Sequence, residues 1–503
     1  MKSLRILSAL VLLLATGQSA HAQTAILTGI DDFAQGKLLS ITVNRNVAGY
    51  VFIYKLHEKD TIQHLRIFDE NLQKIGESSV STGKKSIPRQ VIYESGHLLL
   101  SLYDQIDSYG FTESLKVLNL DNSVVTKSAP MPSEKPKGMF TPRVYPMGYY
   151  TSVPSQGFLG TYDADPYYGG ATCVMLDTAG KQLWKKVVRE PGKGYSGVSL
   201  VGTTRNSILY YITVKDNAAA TDGKGYLVGL DPLTGEQRFH QLLRADGEDW
   251  QPLFVKPISD DTALICSQLT DEKDNLTHAR QTGFNYGKID LKTGAVTSLK
   301  TVHYATDLNG KIEMTNSTKS SEGFMHLQNV LLFPDGSAVV VGEFFRRTVN
   351  GAGMALAVLG ANAVQGTTGD MFFMRLTPEG RVTEVNRVDM RPERISMPLG
   401  TTIAALGRYL DGIGAFNYHH ADDWDPEHKT VVIIGKAGED ESGGLSVKVA
   451  HITPTNYEVK TLLSSAKLKE EPARLSKAKP GHVMLMKYNL KSKSTSLELM
   501  RTD

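Results

Sequence analysis

The segment Tyr418-His419-His420-Ala421-Asp422-Asp423-Trp424-Asp425-Pro426-Glu427-His428 is the densest collection of metal-ligating side chains in the sequence. Imidazole nitrogens and carboxylate oxygens of His419, His420, Asp422, Asp423 and His428 are the donor types that hold zinc or another divalent cation. A cation there would support metal-assisted hydrolysis. The segment reads as a loop, however, so no helical or strand period aims its side chains at one point. The zinc-protease pattern HExxH is absent from the chain. A solvated loop is the reading favoured by the pattern, with a divalent cation as the one candidate cofactor.

A second set of carboxylates recurs at the ends of apolar runs. Asp104, Asp163, Asp216 and Asp271 each stand at or just beyond such a run, Asp165 follows Asp163, and Tyr103, Tyr162 and Tyr168 lie close by. Grouped on one surface, they would bind a polar ligand, a cation, a peptide or a glycan. The plainer reading is that aspartate is favoured where a strand enters a loop, because its side chain caps backbone N–H groups. Asp163-Ala164-Asp165 and Asp423-Trp424-Asp425 match the opening of a calcium loop but lack the glycine and distal glutamate that complete one.

Nucleophilic catalysis has no foothold. There is no G-x-S-x-G elbow, and Cys173 and Cys266, the two cysteines, sit in apolar strand-like runs that do not activate a thiolate. They are expected as buried free thiols. Gly192-Lys193-Gly194-Tyr195-Ser196-Gly197 lacks the Walker spacing and reads as a connection.

The elements that must position these residues are strands. Tight polar turns at Asp69, Asp121, Asp177-Thr178-Ala179-Gly180, Asp231-Pro232-Leu233-Thr234-Gly235 and Asp290-Leu291-Lys292-Thr293-Gly294 follow one another at roughly 50–60 residues, the period of propeller blades. Thr377-Pro378-Glu379-Gly380 and Thr453-Pro454-Thr455-Asn456 continue the series. Between them runs a second series of breaks, each followed by a β-branched and aromatic strand: Tyr50–Tyr54, Leu98–Tyr103, Phe158–Tyr162, Ile208–Val214, Ala263–Leu269, Ala338–Phe344, Ile413–Tyr418 and Val483–Tyr488. The two series alternate as a four-stranded blade requires, with strands A to D in chain order. The expectation is an all-β propeller of eight blades, with seven as the alternative. The last blade lacks an outer strand, which the segment Thr24–Ile30 would supply to close the ring. Polar or apolar insertions interrupt the pattern at residues 304–321, 346–370 and 417–429. Helical signals are confined to Thr401–Tyr409 and Met354–Leu359.

Val174-Met175-Leu176-Asp177-Thr178-Ala179-Gly180-Lys181-Gln182-Leu183-Trp184 resembles the repeat of quinoprotein-type propellers, in which an Asp…Gly turn precedes a strand with tryptophan. Leu230–Phe239 and Ile289–Leu299 match without the tryptophan. That family includes pyrroloquinoline-quinone dehydrogenases and non-enzymatic scaffolds of the bacterial envelope. With Trp184, Trp250 and Trp424 as the only tryptophans, the family's full ring of docking tryptophans is absent. The whole chain also resembles exported bacterial propeller-like proteins of unknown function, which implies a fold and no activity.

The N-terminus carries its own signal. Lys2 and Arg5, the apolar run Ile6–Ala15 and Ala20-His21-Ala22 compose a secretory signal peptide over residues 1–22. Residues 23–503 form the propeller domain. With 55 Lys and Arg against 53 Asp and Glu, the chain lacks the charge excess of a nucleic-acid binder. No later run is long enough to span a bilayer as a helix. The sequence therefore points to an exported binding or scaffold propeller of the bacterial envelope, periplasmic or extracellular, that is not an enzyme. Its partner would be an envelope protein, peptide or glycan on the face that bears the B–C loops. The alternatives are a metal-assisted hydrolase on the His419–His428 segment, a degenerate quinoprotein-like oxidoreductase, and a purely structural or surface-attachment protein.

Overall fold

The computed structural model describes residues 23–502 except 30–35, 44–45, 58–59, 83–85, 106–110, 121–124, 128–147, 166–167, 193, 218–222, 246–247, 272–280, 317–318, 321–322, 350–363, 391, 398–405, 408–409, 412–413, 424–429, 437–444 and 466–472. The signal segment, the loop cores beyond Asp104, Asp216 and Asp271, the Met354–Leu359 segment and His428 thus lie outside the described residues. Among those described, antiparallel strands form eight sheets of four or five strands and one two-stranded ribbon. The fold is all-β and of the propeller type, each sheet built on a meander in which successive strands pair. By compactness the chain falls into two units, Met1–Ser79 with Ala437–Ser446 and Leu462–Asp503, and Val80–Lys436 with Val447–Thr461.

In the first unit, one sheet runs through Lys37–Val43, Asn46–Tyr54, Ile62–Asp69 and Lys74–Ser81. The other orders Ala473–Lys477, His482–Asn489, Ser494–Arg501 and then Gln23–Thr28. The N-terminal strand therefore completes the C-terminal sheet, pairing antiparallel from Gln23 opposite Leu499 to Thr28 opposite Ser494. This is the strand missing from the sequence pattern. Tyr50, Phe52, Met484, Met486, Leu497 and Leu27 bury a common core between the two sheets, and Ser40 Oγ donates to Lys477 O at 2.5 Å to link their first strands.

The second unit carries sheets two to six and most of the seventh. Their first strands are Ser86–Glu94, Tyr149–Val153, Tyr195–Thr203, Glu248–Pro257, Phe324–Leu332 and Tyr418–Asp423. From the second sheet to the sixth, first strands of consecutive sheets lie against one another, and an apolar core fills each space between neighbouring sheets of this unit. Leu99, Val117 and Phe158 join the second sheet to the third, and Met175, Tyr210 and Val228 join the third to the fourth. Burial of such strands at about 25 cal/mol per Å² of apolar surface is the dominant stabilising term. No helix among the described residues is long and apolar enough to cross a membrane.

The repeated turn has a defined geometry. Asp231 Oδ1 accepts from the N–H groups of Leu233 and Thr234, at 2.7 and 3.1 Å. Asp290 Oδ1 does the same for Lys292 and Thr293, and Asp177 Oδ1 for Ala179 and Lys181. Aspartate recurs there because its side chain satisfies donors that the tight turn leaves unpaired. The closing glycine also seats the previous sheet. Gly235, with φ +66°, leaves room for the Trp184 ring, which a Cβ would approach to 2.8 Å, and Trp184 Nε1 donates to Pro232 O at 2.8 Å. Gly294, φ +77°, receives Phe239 in the same way, a Cβ there falling 2.4 Å from the ring. Phe239 holds in its sheet the position that Trp184 holds in the preceding one, opposite Gly229 as Trp184 is opposite Met175.

Seven of the eight expected second strands are present. The exception is Ile413–Tyr418. Leu410-Asp411-Gly412 has the residue types of the other A–B breaks, yet Leu406 and Leu410 lie in helical turns and are fully buried with Phe345 and Phe416. The two buried leucines outweigh the local turn signal; of the Thr401–Tyr409 segment Leu406 and Gly407 are described, both in a helical turn. The next strands are Tyr418–Asp423 and Thr430–Lys436, so Tyr418 opens the seventh sheet instead of ending a second strand. The 346–370 insertion is in part a prolonged hairpin, with Arg346–Val349 paired to Val364–Thr367, and Arg394–Met397 adds to its far side. The 304–321 insertion opens with a short helix, Tyr304–Asp307, and includes the ribbon of Met314–Asn316 with Lys319–Ser320.

Candidate functional site: bulged first strands and the cavity they line

Asp104 and Asp271 are placed on the last turns of their second strands, Asp163 ends its strand, and Asp216 follows the strand Ile208–Lys215. Asp163 and Asp216 are exposed. Asp165 acts locally: its Oδ1 accepts from Tyr168 N at 3.0 Å and its carbonyl from Gly169 N at 2.9 Å, shaping the connection that Gly169 bridges to Ser196.

The His419–Asp423 segment is strand, not loop. The sequence pattern placed it in a long polar loop because four ionisable residues, His419, His420, Asp422 and Asp423, cluster there; the ladder to Val431–Ile434 overrides that signal. Asp422 and Asp423 continue the strand, and His428 lies outside the described residues. His419 is a bulged residue, since Tyr418 pairs with Ile434 and His420 with Ile433. The bulge turns both imidazoles the same way, with Nδ1 atoms 2.5 Å apart and ring centroids 4.8 Å apart. At that spacing the rings hydrogen-bond to each other. No cluster of three or more His, Cys, Asp or Glu side chains with metal-binding geometry occurs among the described residues.

Two buried carboxylates that sequence reasoning passed over hold the polar strand ends together. Glu343, fully buried, accepts from Asn417 N at 2.9 Å, Asn417 Nδ2 at 3.0 Å and Tyr418 N at 2.6 Å. It fixes the point where the chain enters the seventh sheet. Glu113 accepts from Ser101 Oγ at 2.5 Å and Tyr150 OH at 3.2 Å, and lies 3.4 Å from Arg89 Nη1. Tyr150 and Tyr162 share a hydrogen bond between their hydroxyls. Burial, with Tyr162 and Glu113 nearby, pushes the Tyr150 hydroxyl far above the usual phenol range, and burial does the same to Tyr162. These phenols are fixed hydrogen-bonding groups, not acids. The signal for both carboxylates was available in principle, a glutamate inside an apolar strand such as Val339-Val340-Val341-Gly342-Glu343-Phe344, since such a residue is retained only when satisfied.

The first strands share a further device. In five of them one residue has no opposite partner: Arg89 between Pro88 and Gln90, Val201 between Leu200 and Gly202, Leu253 between Pro252 and Phe254, Gln328 between Leu327 and Asn329, and His419. A bulge bends the strand and re-aims its side chain, and bulges concentrate at functional rims. Nothing in a single sequence marks them, because an extra strand residue alters no local composition.

Three of these bulges enclose one cavity. Residues 199–201, 252–254 and 326–328, one stretch from each of three successive first strands, line a space of about 160 Å³ together with Asp411. His326 is buried with its ring stacked on Phe416 at 4.8 Å between centroids, and its Nε2 is 3.9 Å from Asp411 Oδ2. Gln328 Nε2 is buried and has no hydrogen-bond partner. The wall between is apolar: Leu200, Val201, Pro252, Leu253, Phe254 and Leu327. The segment carrying Asp411, misread as a strand break, is thus what completes the cavity.

Among solved structures, the chain aligns with a europium-containing methanol dehydrogenase at 10% identity, over 95% of this chain and 93% of that one, with a TM-score of 0.40. The WD40 domain of SCAP from fission yeast aligns at 10% identity over 96% and 99% of the two chains, TM-score 0.39. An oligogalacturonate lyase in complex with manganese aligns at 12% identity over 93% and 98%, TM-score 0.37. No curated protein matches the sequence. Residues 1–502 match the model of the family of unknown function DUF6770, and the chain belongs to that family.

Proposed function

We propose that this chain is an exported, non-catalytic binding module of the bacterial cell envelope, its ligand held on the side where second strands end and first strands begin. The observation that carries the reading is the use made of buried polar groups on that side. Glu113 and Glu343 are engaged by N–H and O–H donors that fix the backbone, and the buried phenols beside Glu113 are held protonated. A catalytic acid or base needs the opposite, a group poised near the working pH and left facing solvent or substrate. The first-strand bulges, by contrast, open a lined cavity with an unpaired donor, an arrangement suited to holding a ligand. The signal segment supports export.

The test is fractionation of cells expressing the full chain, followed by sedimentation of the purified mature protein with isolated cell envelopes. The expected results are a mature N-terminus at Gln23, recovery outside the cytoplasm, and co-sedimentation weakened by Asp163→Lys with Asp216→Lys. Leu233→Lys, exposed on the turn at the other strand ends, should leave it unchanged. An uncleaved cytoplasmic chain, or co-sedimentation that all variants share, would overturn the proposal.

A further inference from the structure

The cavity's chemistry says what it takes. We infer that it binds one neutral sugar ring, an assignment that rests on the binding-module reading and specifies its ligand. A space of about 160 Å³, open at one side, takes a single small ring or residue, with part of it at the mouth. Three features define its polarity. Gln328 Nε2 is a buried donor without a partner, and leaving such a donor unsatisfied is costly, so the ligand must bring an acceptor inward. Asp411 is half exposed and only acceptor-bearing, so the ligand must bring a donor to the mouth. Between them the wall offers the Phe254 ring and the side chains of Pro252 and Leu253, which need apolar surface to cover.

A hydroxylated ring meets all three demands, since each hydroxyl both accepts and donates and the C–H face is apolar. An anion would meet the Asp411 carboxylate with like charge. A cation would leave the buried amide donor of Gln328 facing positive charge with no acceptor. His326, clamped by Phe416 and Phe345 and within 3.9 Å of Asp411, presents its imidazole edge in a fixed orientation. It is a positioning residue for Asp411 and a second polar contact for the ring. The bulges are what make the site: each lets one first strand bend away at the level of the cavity, so three strands that would otherwise pack side by side leave a gap.

The test is calorimetric titration of the mature protein with D-glucose, D-galactose and N-acetyl-D-glucosamine, and with D-glucuronate and D-glucosamine as charged counterparts. At least one neutral sugar should bind saturably, and the charged counterparts about tenfold or more weaker. Gln328→Leu removes the donor and fills its space, so binding should fall about tenfold, the loss of one hydrogen bond of roughly 1.4 kcal/mol. Its melting temperature should be unchanged or higher, because the orphaned amide is gone. Asp411→Asn, at the exposed mouth and without consequence for folding, should weaken binding as well and narrow the discrimination against the anionic sugar. Absence of saturable binding by any neutral sugar, tighter binding of a charged one, or indifference to both variants would overturn the assignment. If Gln328→Leu abolishes sugar binding while envelope co-sedimentation persists, the module binds its main partner elsewhere. If sugars fail and co-sedimentation holds, the sugar assignment alone falls.

Discussion

Substituting Gly235 with alanine tests whether consecutive sheets are stapled by a ring seated on a turn glycine. Two costs follow from the geometry. The backbone at Gly235 has φ +66°, a conformation that disfavours an L-residue by about 1–2 kcal/mol. The new Cβ would also stand 2.8 Å from Trp184 Cδ2 and 2.9 Å from Cε3. Trp184 cannot simply retreat, being buried in the core shared by the third and fourth sheets and anchored by its indole N–H on Pro232 O. Overpacking of this kind costs roughly 1–3 kcal/mol, so Gly235→Ala should destabilise the protein by about 2–5 kcal/mol. In a Trp184→Ala background the clash disappears and only the backbone cost of about 1–2 kcal/mol remains. The coupling between the two positions should therefore be about 1–3 kcal/mol. The assay is urea unfolding followed by far-ultraviolet circular dichroism on the four proteins of the cycle, so that loss of tryptophan does not remove the signal. Equal cost of Gly235→Ala in both backgrounds would refute the docking argument. So would a total below about 1 kcal/mol, which would mean that the turn relaxes without the ring noticing.

Trp184→Phe should be far milder than Trp184→Ala, losing mainly the bond to Pro232 O at about 0.5–1.5 kcal/mol, because Phe239 already performs the same docking on Gly294; the two urea midpoints decide it. Glu343→Ala strands three donors and should cost roughly 3–5 kcal/mol, with faster hydrogen exchange at the Asn417 and Tyr418 amides; unchanged exchange there would remove the carboxylate's assigned role. Both cysteines are free and buried, and burial pushes the Cys173 thiol up to about 11 against a hydrogen bond to Tyr210 that lowers it. Neither should react with a disulfide reagent at neutral pH until the protein is unfolded. Asp231 is partly buried, which opposes ionisation, but Arg238 and the turn N–H groups prevail and hold its carboxyl below the usual range. A depressed folded-state pKa contributes stability above the ordinary value of about 3.9, and that contribution is lost as pH falls through the folded-state value. Asp231→Asn should therefore flatten the decline of stability below about pH 4, read from urea midpoints across that range.

The strands were legible because they obey the two signals a single sequence carries well: period-2 apolar runs, and turns whose residue types follow from φ and from unpaired donors. Gln23–Thr28 was legible for a different reason. A meander that ends one strand short leaves an exposed edge, and the segment left over at the N-terminus had the length and alternation to fill it. The seventh sheet was misread where two local rules disagreed. Leu410-Asp411-Gly412 satisfies turn chemistry, while Leu406 and Leu410 satisfy a helical stripe, and the stripe prevails because it buries two leucines against Phe345 and Phe416.

The candidate site was barely legible, and the reason is physical. Its polar residues are unremarkable singly: a serine, a histidine, a glutamine and an aspartate from three distant stretches. What brings Ser199, His326 and Gln328 to one cavity is that their first strands flank the first strand of the fifth sheet and that all three of these strands hold one residue more than the strands opposite them. An extra residue of that kind changes no composition and breaks no alternation that a single run would reveal, since the side chains on either side of the bulge still look like strand. The aspartates at the strand ends stand out because capping requires their chemistry. A ligand requires instead that donors, acceptors and apolar surface meet, and that is a property of register. The search for function in this fold therefore belongs with the unpaired residues of the first strands, where the ladder is interrupted, ahead of the conspicuous carboxylates where it ends.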